Sequence, residues 1–341
     1  MSDHATAPDP AQHIFQLATG YVISTALQLA VQVGIADHLA AGPRSAQQLA
    51  AATGTNEDAL YRVLRALASV GVFDEVEPRR FALTPAADIL RKDSPRSVHD
   101  LALFISDPLH LRVYADAIES LRTGKPAAEK TLGKPVFEWF AEHPEYSSTF
   151  NNAMTNMSAA IVPAVLEAYD FGDIGVLVDV AGGHGQVLRS ILQKYPAMRG
   201  ILMDVDHVIA GAKPHIEAAG LADRCQTVVG DFFKAVPPGG DAYVMKHIIH
   251  DWDDERAAQI LRSIHTAMGS KRGKVILLES MLASGNEPGL GKIMDLEMLL
   301  LPGGRERSAE EFRGLFDRAG FDLVRVVPTT SPVCVIEARK R

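Results

Sequence analysis

The residues of this chain best suited to chemistry are acids and glycines at the ends of short apolar runs. One run, Val176 to Val180, carries Asp179 and leads into Ala181, Gly182, Gly183, His184 and Gly185. Val187, Leu188, Ile191 and Leu192 then recur at helical spacing, so the order reads as strand, tight turn, helix N-terminus. Glycines in such a turn let the backbone lie against a bound cofactor. The spacing, Asp-x-Ala-x-Gly-x-Gly, is not the G-x-G-x-x-G of dinucleotide folds. A second run ends in Asp204, about 20 residues beyond the glycines, where a carboxylate can accept hydrogen bonds from ribose hydroxyls. A third ends in Asp231, Phe232 and Phe233: an acid to accept from an adenine amino group, and a ring to pack on the base. A fourth ends in Met245, Lys246 and His247. One acid at a strand end often only caps the next helix. Three in register at consecutive strand ends point to a bound nucleoside.

These side chains need a sheet to hold them. From about residue 174 the chain alternates short apolar runs (176–180, 200–203, 225–229, 242–245, 275–278, 323–327 and 333–337) with helical patterns. That alternation predicts a parallel sheet with helices on both faces, with ligands beyond the carboxyl ends of its strands. The first half reads differently. Residues 11–41 form helices that are apolar nearly all round, so more than one surface must be covered; a partner subunit would do it. Ser45 and Asn56 read as N-caps, Gly54 and Gly71 as stops, and Phe73–Val76 with Arg80–Thr84 as a hairpin. Helix, turn, helix, hairpin is a winged-helix pattern. DNA binding is its obvious use, but Glu57 and Asp58 open the second helix and Asp74, Glu75 and Glu77 offset Arg79 and Arg80, so the positive surplus that phosphate contact needs is missing. More helices follow over 98–165. The domain boundary is placed between Pro163 and Gly172, giving a helical domain over 1–165 and a sheet domain over 166–341.

The 341 residues are 47% hydrophobic and 22% charged, with a net charge of -8. That is a soluble two-domain composition, and its sign argues against nucleic acid as partner. The two cysteines, Cys225 and Cys334, have no metal-ligand spacing and make no disulfide framework, as expected of a reducing cytoplasm. No apolar run reads as reaching membrane-spanning length. The first nine residues lack the basic-then-apolar pattern of a signal peptide and read as a short tail.

In order and spacing the motifs resemble the plant-type (caffeic-acid-like) family of S-adenosylmethionine (SAM)-dependent small-molecule O-methyltransferases, which includes bacterial secondary-metabolite members. The residues that carry the resemblance are Phe150-Asn151 with Met154, the Val178–Gly185 loop, Met203-Asp204 with His207-Val208-Ile209, and Gly230–Phe233. Met245-Lys246 with His250-Asp251-Trp252, Glu279, and Gly303–Arg307 complete the set. There are two departures. Ala181 stands where the family commonly has glycine; a methyl group there is tolerable if the residue keeps a negative φ. His247 stands where relatives often have an aromatic or apolar residue. The resemblance implies an α/β fold: a class I methyltransferase, Rossmann-like, mostly parallel sheet, preceded by an α-helical winged-helix domain through which the chain forms a homodimer. It implies SAM as cofactor, held by Asp179, Gly182, Gly183, Gly185, Asp204, Asp231, Phe232 and Lys246.

It also implies a catalytic set: His250 as general base, Glu279 and Glu306 as the carboxylates that raise its basicity, and Asp251 near the acceptor hydroxyl. Plainer roles stand beside these. His250 or Asp251 could cap a helix starting at Asp253 or Asp254, and Glu306 could pair with Arg305 or Arg307. The SAM sulfonium is already a good electrophile, so neither metal nor nucleophilic residue is expected. Alignment supplies about 7–11 kcal/mol. Moving a proton from a phenol of pKa about 10 to an imidazole of about 6.5 is uphill by roughly 5 kcal/mol. Asn151, Met154, Met157, Met294 and Met298 are expected to line an apolar acceptor pocket, although methionines at helical spacing also serve as core. The expected substrate is a phenolic or similar hydroxylated small molecule, with no membrane partner. The rivals are SAM-binding chemistry without methylation, such as hydroxylation or decarboxylation, and a winged-helix regulator. A nicotinamide dehydrogenase is disfavoured by the glycine spacing.

Overall fold

The structure, a computed structural model, describes residues 9–341, and the tail expected before them lies outside the described residues. The chain divides into two compact units, Met1–Leu111 and Arg112–Arg341.

In the first unit a 23-residue helix, Pro10–Gln32, is capped by the Asp9 side chain. It exposes Ile14, Phe15, Leu17 and Tyr21 at 64%, 68%, 66% and 63%. By length and composition this helix could cross a membrane, with a mean hydropathy of 1.5 over its best stretch. That corrects the expectation that no segment reaches spanning length: its polar residues are Gln, Thr, Ser and His, which interrupt the apolar run without adding charge. Ser45 opens the helix Ala46–Thr53 through a reciprocal capping box with Gln48, a device worth about 1 kcal/mol. Asn56 caps Glu57–Ala68. Strands β1 (Arg44–Ser45), β2 (Phe73–Glu77) and β3 (Arg80–Leu83) form an antiparallel sheet in the order β1-β3-β2. Leu49, Leu64, Leu67, Phe73 and Phe81 fill the space between helices and hairpin. The winged-helix shape is therefore present. Glu57, at the head of its second helix, pairs with Arg79 of the hairpin at 2.9 Å, which takes up one of the few cations that could meet a phosphate.

The second unit is built on seven strands: β4 (Val176–Val180), β5 (Arg199–Asp204), β6 (Cys225–Val229), β7 (Ala242–Lys246), β8 (Lys274–Ser280), β9 (Phe321–Pro328) and β10 (Val333–Lys340). Their order is β6-β5-β4-β7-β8-β10-β9. Strands β4 to β8 pair in parallel, and β10 runs antiparallel to both β8 and β9. The short connection over 329–332 leaves no room for the crossover that a parallel β9–β10 pair would need. Helices Pro144–Ala168, Gln186–Lys194 and Asp206–Ala218 contribute Ile161, Leu188 and Ile216 to one apolar cluster. Helices Asp254–Ala267 and Ala309–Arg318 contribute Ile260, Leu261, Phe312 and Phe316 to the other. The boundary expected after residue 165 falls inside the helix Pro144–Ala168. Val162 and Val165 of that helix are buried in the same cluster as Leu177 and Val244 of the sheet, so its packing ties it to the second unit. Strands β4 and β7 lie side by side at the centre, where the strand order reverses direction. That reversal is the topological switch point at which an open α/β sheet binds ligands.

Candidate active site

Two non-glycine residues with positive φ sit at this switch point: Ala181 (φ +57) directly after β4, and His247 (φ +53) directly after β7. The condition under which a methyl group is freely tolerated at Ala181, a negative φ, is therefore not met. The turn out of β4 is left-handed at 181, 183 and 185, because the chain must reverse within a few residues to start the helix Gln186–Lys194. A methyl group in that region costs about 1–2 kcal/mol, which is the physical reason a glycine suits the position. Gly182 admits no side chain: a Cβ there would lie 2.4 Å from Leu202 and 2.5 Å from Asp179.

The loop closes on a cavity of about 520 Å³, a size that suits a small molecule. Asp179, Gly182, Gly183, Asp204, Asp231, Phe232 and Lys246 all line it. Gly185 does not; it caps the helix behind. Asp204 accepts from the Gly183 N–H at 2.9 Å and from the Val205 N–H at 2.8 Å, so both oxygens are fixed with lone pairs to spare. Asp231 accepts from the Phe233 N–H at 2.9 Å. Phe232 meets Phe233 edge-on at 4.7 Å. Asp179 Oδ2 and Lys246 Nζ are sealed from water without a hydrogen-bond partner among the described residues. Burial, with Asp204 nearby, pushes the Asp179 carboxyl up to about 7. Burial pulls the Lys246 ammonium down to about 8, against Glu279, Asp179 and Asp251. An unpartnered acid oxygen and an unpartnered ammonium on two residues of the cavity wall are a cost that a ligand carrying both charges would relieve.

The next group lies behind this wall. His250, in the 3-10 turn Ile249–Asp251, is 6% exposed. Its Nδ1 is 2.8 Å from Glu306 Oε1 and 3.6 Å from Glu279 Oε2, and its Nε2 is 3.5 Å from Asp251 Oδ1. Glu279 Oε1 accepts from the N–H groups of Ile248 and Ile249 at 3.2 and 3.0 Å. Burial alone would lower the His250 pKa, but Glu279, the Glu306 hydrogen bond and Asp251 outweigh it and push it up to about 9. Burial also raises Asp251, to about 6. Asp251 and His247 line the cavity, whereas His250, Glu279 and Glu306 do not.

The turn is clamped from one side. Arg305 N–H donates to the His250 carbonyl at 2.8 Å. Arg307, 0% exposed, donates to the carbonyls of Ile249 at 3.1 Å and Trp252 at 2.8 Å, and to Asp254 at 3.0 Å. A Cβ on Gly304 would lie 2.0 Å from the His250 carbonyl oxygen. Arg305 itself pairs with Glu311 at 2.9 Å. Neither arginine therefore takes Glu306, and Asp253, rather than Asp251, caps the following helix.

Asn151 and Met154 line the cavity, but Met157, Met294 and Met298 do not. Met298 is buried, and its carbonyl accepts from Gly303 and Gly304 at 2.8 and 3.1 Å, so it supports the clamp. Sequence reasoning missed Ser147, Thr155 and Ser158 as wall residues. The signal was available: with Asn151 they recur every three or four positions on one helix, as a polar stripe on a single face. Thr155 holds His184 of the glycine loop at 3.1 Å. His250, Glu279 and Glu306 also place their ligand atoms within 4.8 Å of one another, close enough to hold a cation.

The chain matches known proteins over both of its units. The family model described as O-methyltransferase domain matches residues 113–322, and that of the O-methyltransferase dimerisation domain matches residues 15–93. The chain is 42% identical to a phenazine O-methyltransferase of Lysobacter antibioticus, over 96% of this chain and 95% of that one. It is 35% identical to 8-amino-8-demethylriboflavin N,N-dimethyltransferase of Streptomyces davaonensis, over 96% and 95%. Among solved structures it resembles an O-methyltransferase from neocarzinostatin biosynthesis in complex with S-adenosyl-L-homocysteine and 1,4-dihydroxy-2-naphthoic acid. There the TM-score is 0.82 at 31% identity, over 98% of this chain and 100% of that one.

Proposed function

The chain belongs to the SAM-dependent O-methyltransferase family, and we propose that it methylates a hydroxyl of an aromatic small molecule, with His250 as general base and no metal. The hydrogen bond between His250 Nδ1 and Glu306 carries this reading. Glu306 accepts the Nδ1–H, which leaves the Nε2 lone pair on the side of Asp251, a residue of the cavity wall. The same bond occupies the nitrogen that a metal would take between Glu279 and Glu306, which supports a proton-transfer role for the cluster.

The cavity residues suit SAM. Asp204 would hold the ribose, and Asp231 and Phe232 the adenine. The glycine turn with the unpaired Asp179 and Lys246 would hold the charged methionine end. Bound there, SAM supplies an electrophilic methyl group. The protein's part is to align the acceptor and take its proton. With His250 near 9, transfer from a phenol of pKa about 10 is uphill by roughly 1.4 kcal/mol rather than 5. Glu306 and Glu279 then face an imidazolium and stabilise it. Asp251, 3.5 Å from Nε2, is placed to orient the incoming hydroxyl.

We also assign a homodimer formed through Pro10–Gln32 and a cytoplasmic setting. The dimerisation-domain match, the exposed apolar side chains of that helix and the two free cysteines support these. The experiment is to incubate EDTA-treated protein with SAM and a panel of aromatic hydroxyl compounds. A product heavier by one CH2 is expected. An oxygenated or decarboxylated product, or activity only on adding a divalent cation, would refute the reading.

A further inference from the structure

The mechanism above makes no use of His247, yet its placement is costly. It follows β7 directly at φ +53, where a side chain is strained, and such strain persists at ligand sites when the surroundings enforce it. Its N–H donates to the Leu278 carbonyl at 3.1 Å. His247 is one of the residues lining the cavity, and its ring is stacked on that of His250, centroids 4.9 Å apart and planes at 11°. Its Nε2 is sealed from water without a hydrogen-bond partner among the described residues. Burial, then Lys246 and His250, hold its pKa well below the usual imidazole range. The ring is neutral, with one donor and one acceptor. A buried polar atom left unpaired is a cost that a ligand can remove.

We propose that His247 reads the acceptor: its Nε2 hydrogen-bonds a polar atom ortho or peri to the hydroxyl that His250 deprotonates. With His247 on the cavity wall and the His250 ring stacked on it from behind, the two imidazoles would meet two neighbouring polar atoms of one flat ligand. The preferred substrate is then a bifunctional aromatic, in which a second hydroxyl, an amine, a ring nitrogen or a carbonyl adjoins the reacting hydroxyl. A lone phenol leaves His247 unsatisfied and is disfavoured. This rests on the reading of His250 as the base.

Isomer pairs isolate the adjoining atom: 8- against 6-hydroxyquinoline, and 1,2- against 1,4-dihydroxybenzene, each with EDTA present. Binding to the complex with S-adenosylhomocysteine is measured by calorimetry, and kcat/KM with SAM, for the wild type, His247→Phe and His247→Gln. The wild type should favour the adjoining isomer by about 10- to 100-fold. His247→Phe, which keeps a stacking ring, should bring the ratio to about 1, and His247→Gln should restore part of it. An equal preference in the wild type, no binding of either isomer, or an intact ratio in His247→Phe would overturn the proposal. Because the calorimetric ratio is read without methyl transfer, absent turnover would count against the proposed function alone.

Discussion

As the proposed base, His250 must be neutral to take a proton, yet its surroundings push its pKa up to about 9. A stronger base is gained at the cost of a smaller unprotonated fraction near pH 7. Methyl transfer should therefore climb through pH 7 to 9 instead of levelling off near 6.5. Glu279, which burial raises to about 7, titrates close by, so the apparent constant belongs to the cluster. Glu306→Gln removes the hydrogen-bonded carboxylate, and its pH–kcat/KM profile should turn over at lower pH with a reduced plateau. A profile identical to the wild type would show that Glu306 does not tune the base. The sign for stability is opposite. A histidine raised in the folded state stabilises fully below about 6.5, and that contribution is lost as pH rises through about 9. The conditions that free the base also weaken the fold around it.

At the scale of elements, the site depends on how the segment Gly303–Arg307 presses against the turn Ile249–Asp251. Arg305 and Arg307 hold that turn by main-chain carbonyls, and only glycine fits at 304. Gly304→Ala must push the turn away, and a displacement of about 1 Å at a reacting group can cost about 10²-fold. We expect kcat to fall by at least that much in single-turnover assays, with S-adenosylhomocysteine affinity nearly unchanged, since Asp204 ends β5 and Asp231 lies in the loop after β6. A normal kcat would mean that the clamp does not position His250. Part of this was legible in sequence. The apolar runs that hold Asp179 and precede Asp204 and Lys246 gave strands ending at Val180, Asp204 and Lys246, and these acids meet at one cavity. The close approach at Gly304 was not legible, because it depends on two segments more than 50 residues apart packing backbone to backbone. The tight turn was legible in Gly182, Gly183 and Gly185, but that it is left-handed already at Ala181 was not, because alanine itself does not call for that conformation. Met294 and Met298 were misplaced because helical spacing of methionines looks the same in a core and in a pocket wall.

For the whole molecule, the exposed apolar face of Pro10–Gln32 is the feature that a single chain leaves open. Charging it at Phe15→Glu and Tyr21→Glu together should convert a dimer to monomers in sedimentation experiments. A dimer that survives both changes would place the interface elsewhere. The winged-helix shape of the first unit was visible in its caps and hairpin. The antiparallel β10 was not, since a run such as 333–337 reads the same in either direction and only the short loop before it sets its sense.

Single-turnover methyl transfer by His250→Ala, beside calorimetry of S-adenosylhomocysteine binding, bears most directly on the proposed chemistry. The rate should drop by about 10²- to 10⁴-fold while the cofactor product binds as tightly as to the wild type. A near-normal rate would contradict the assignment of His250 as the base.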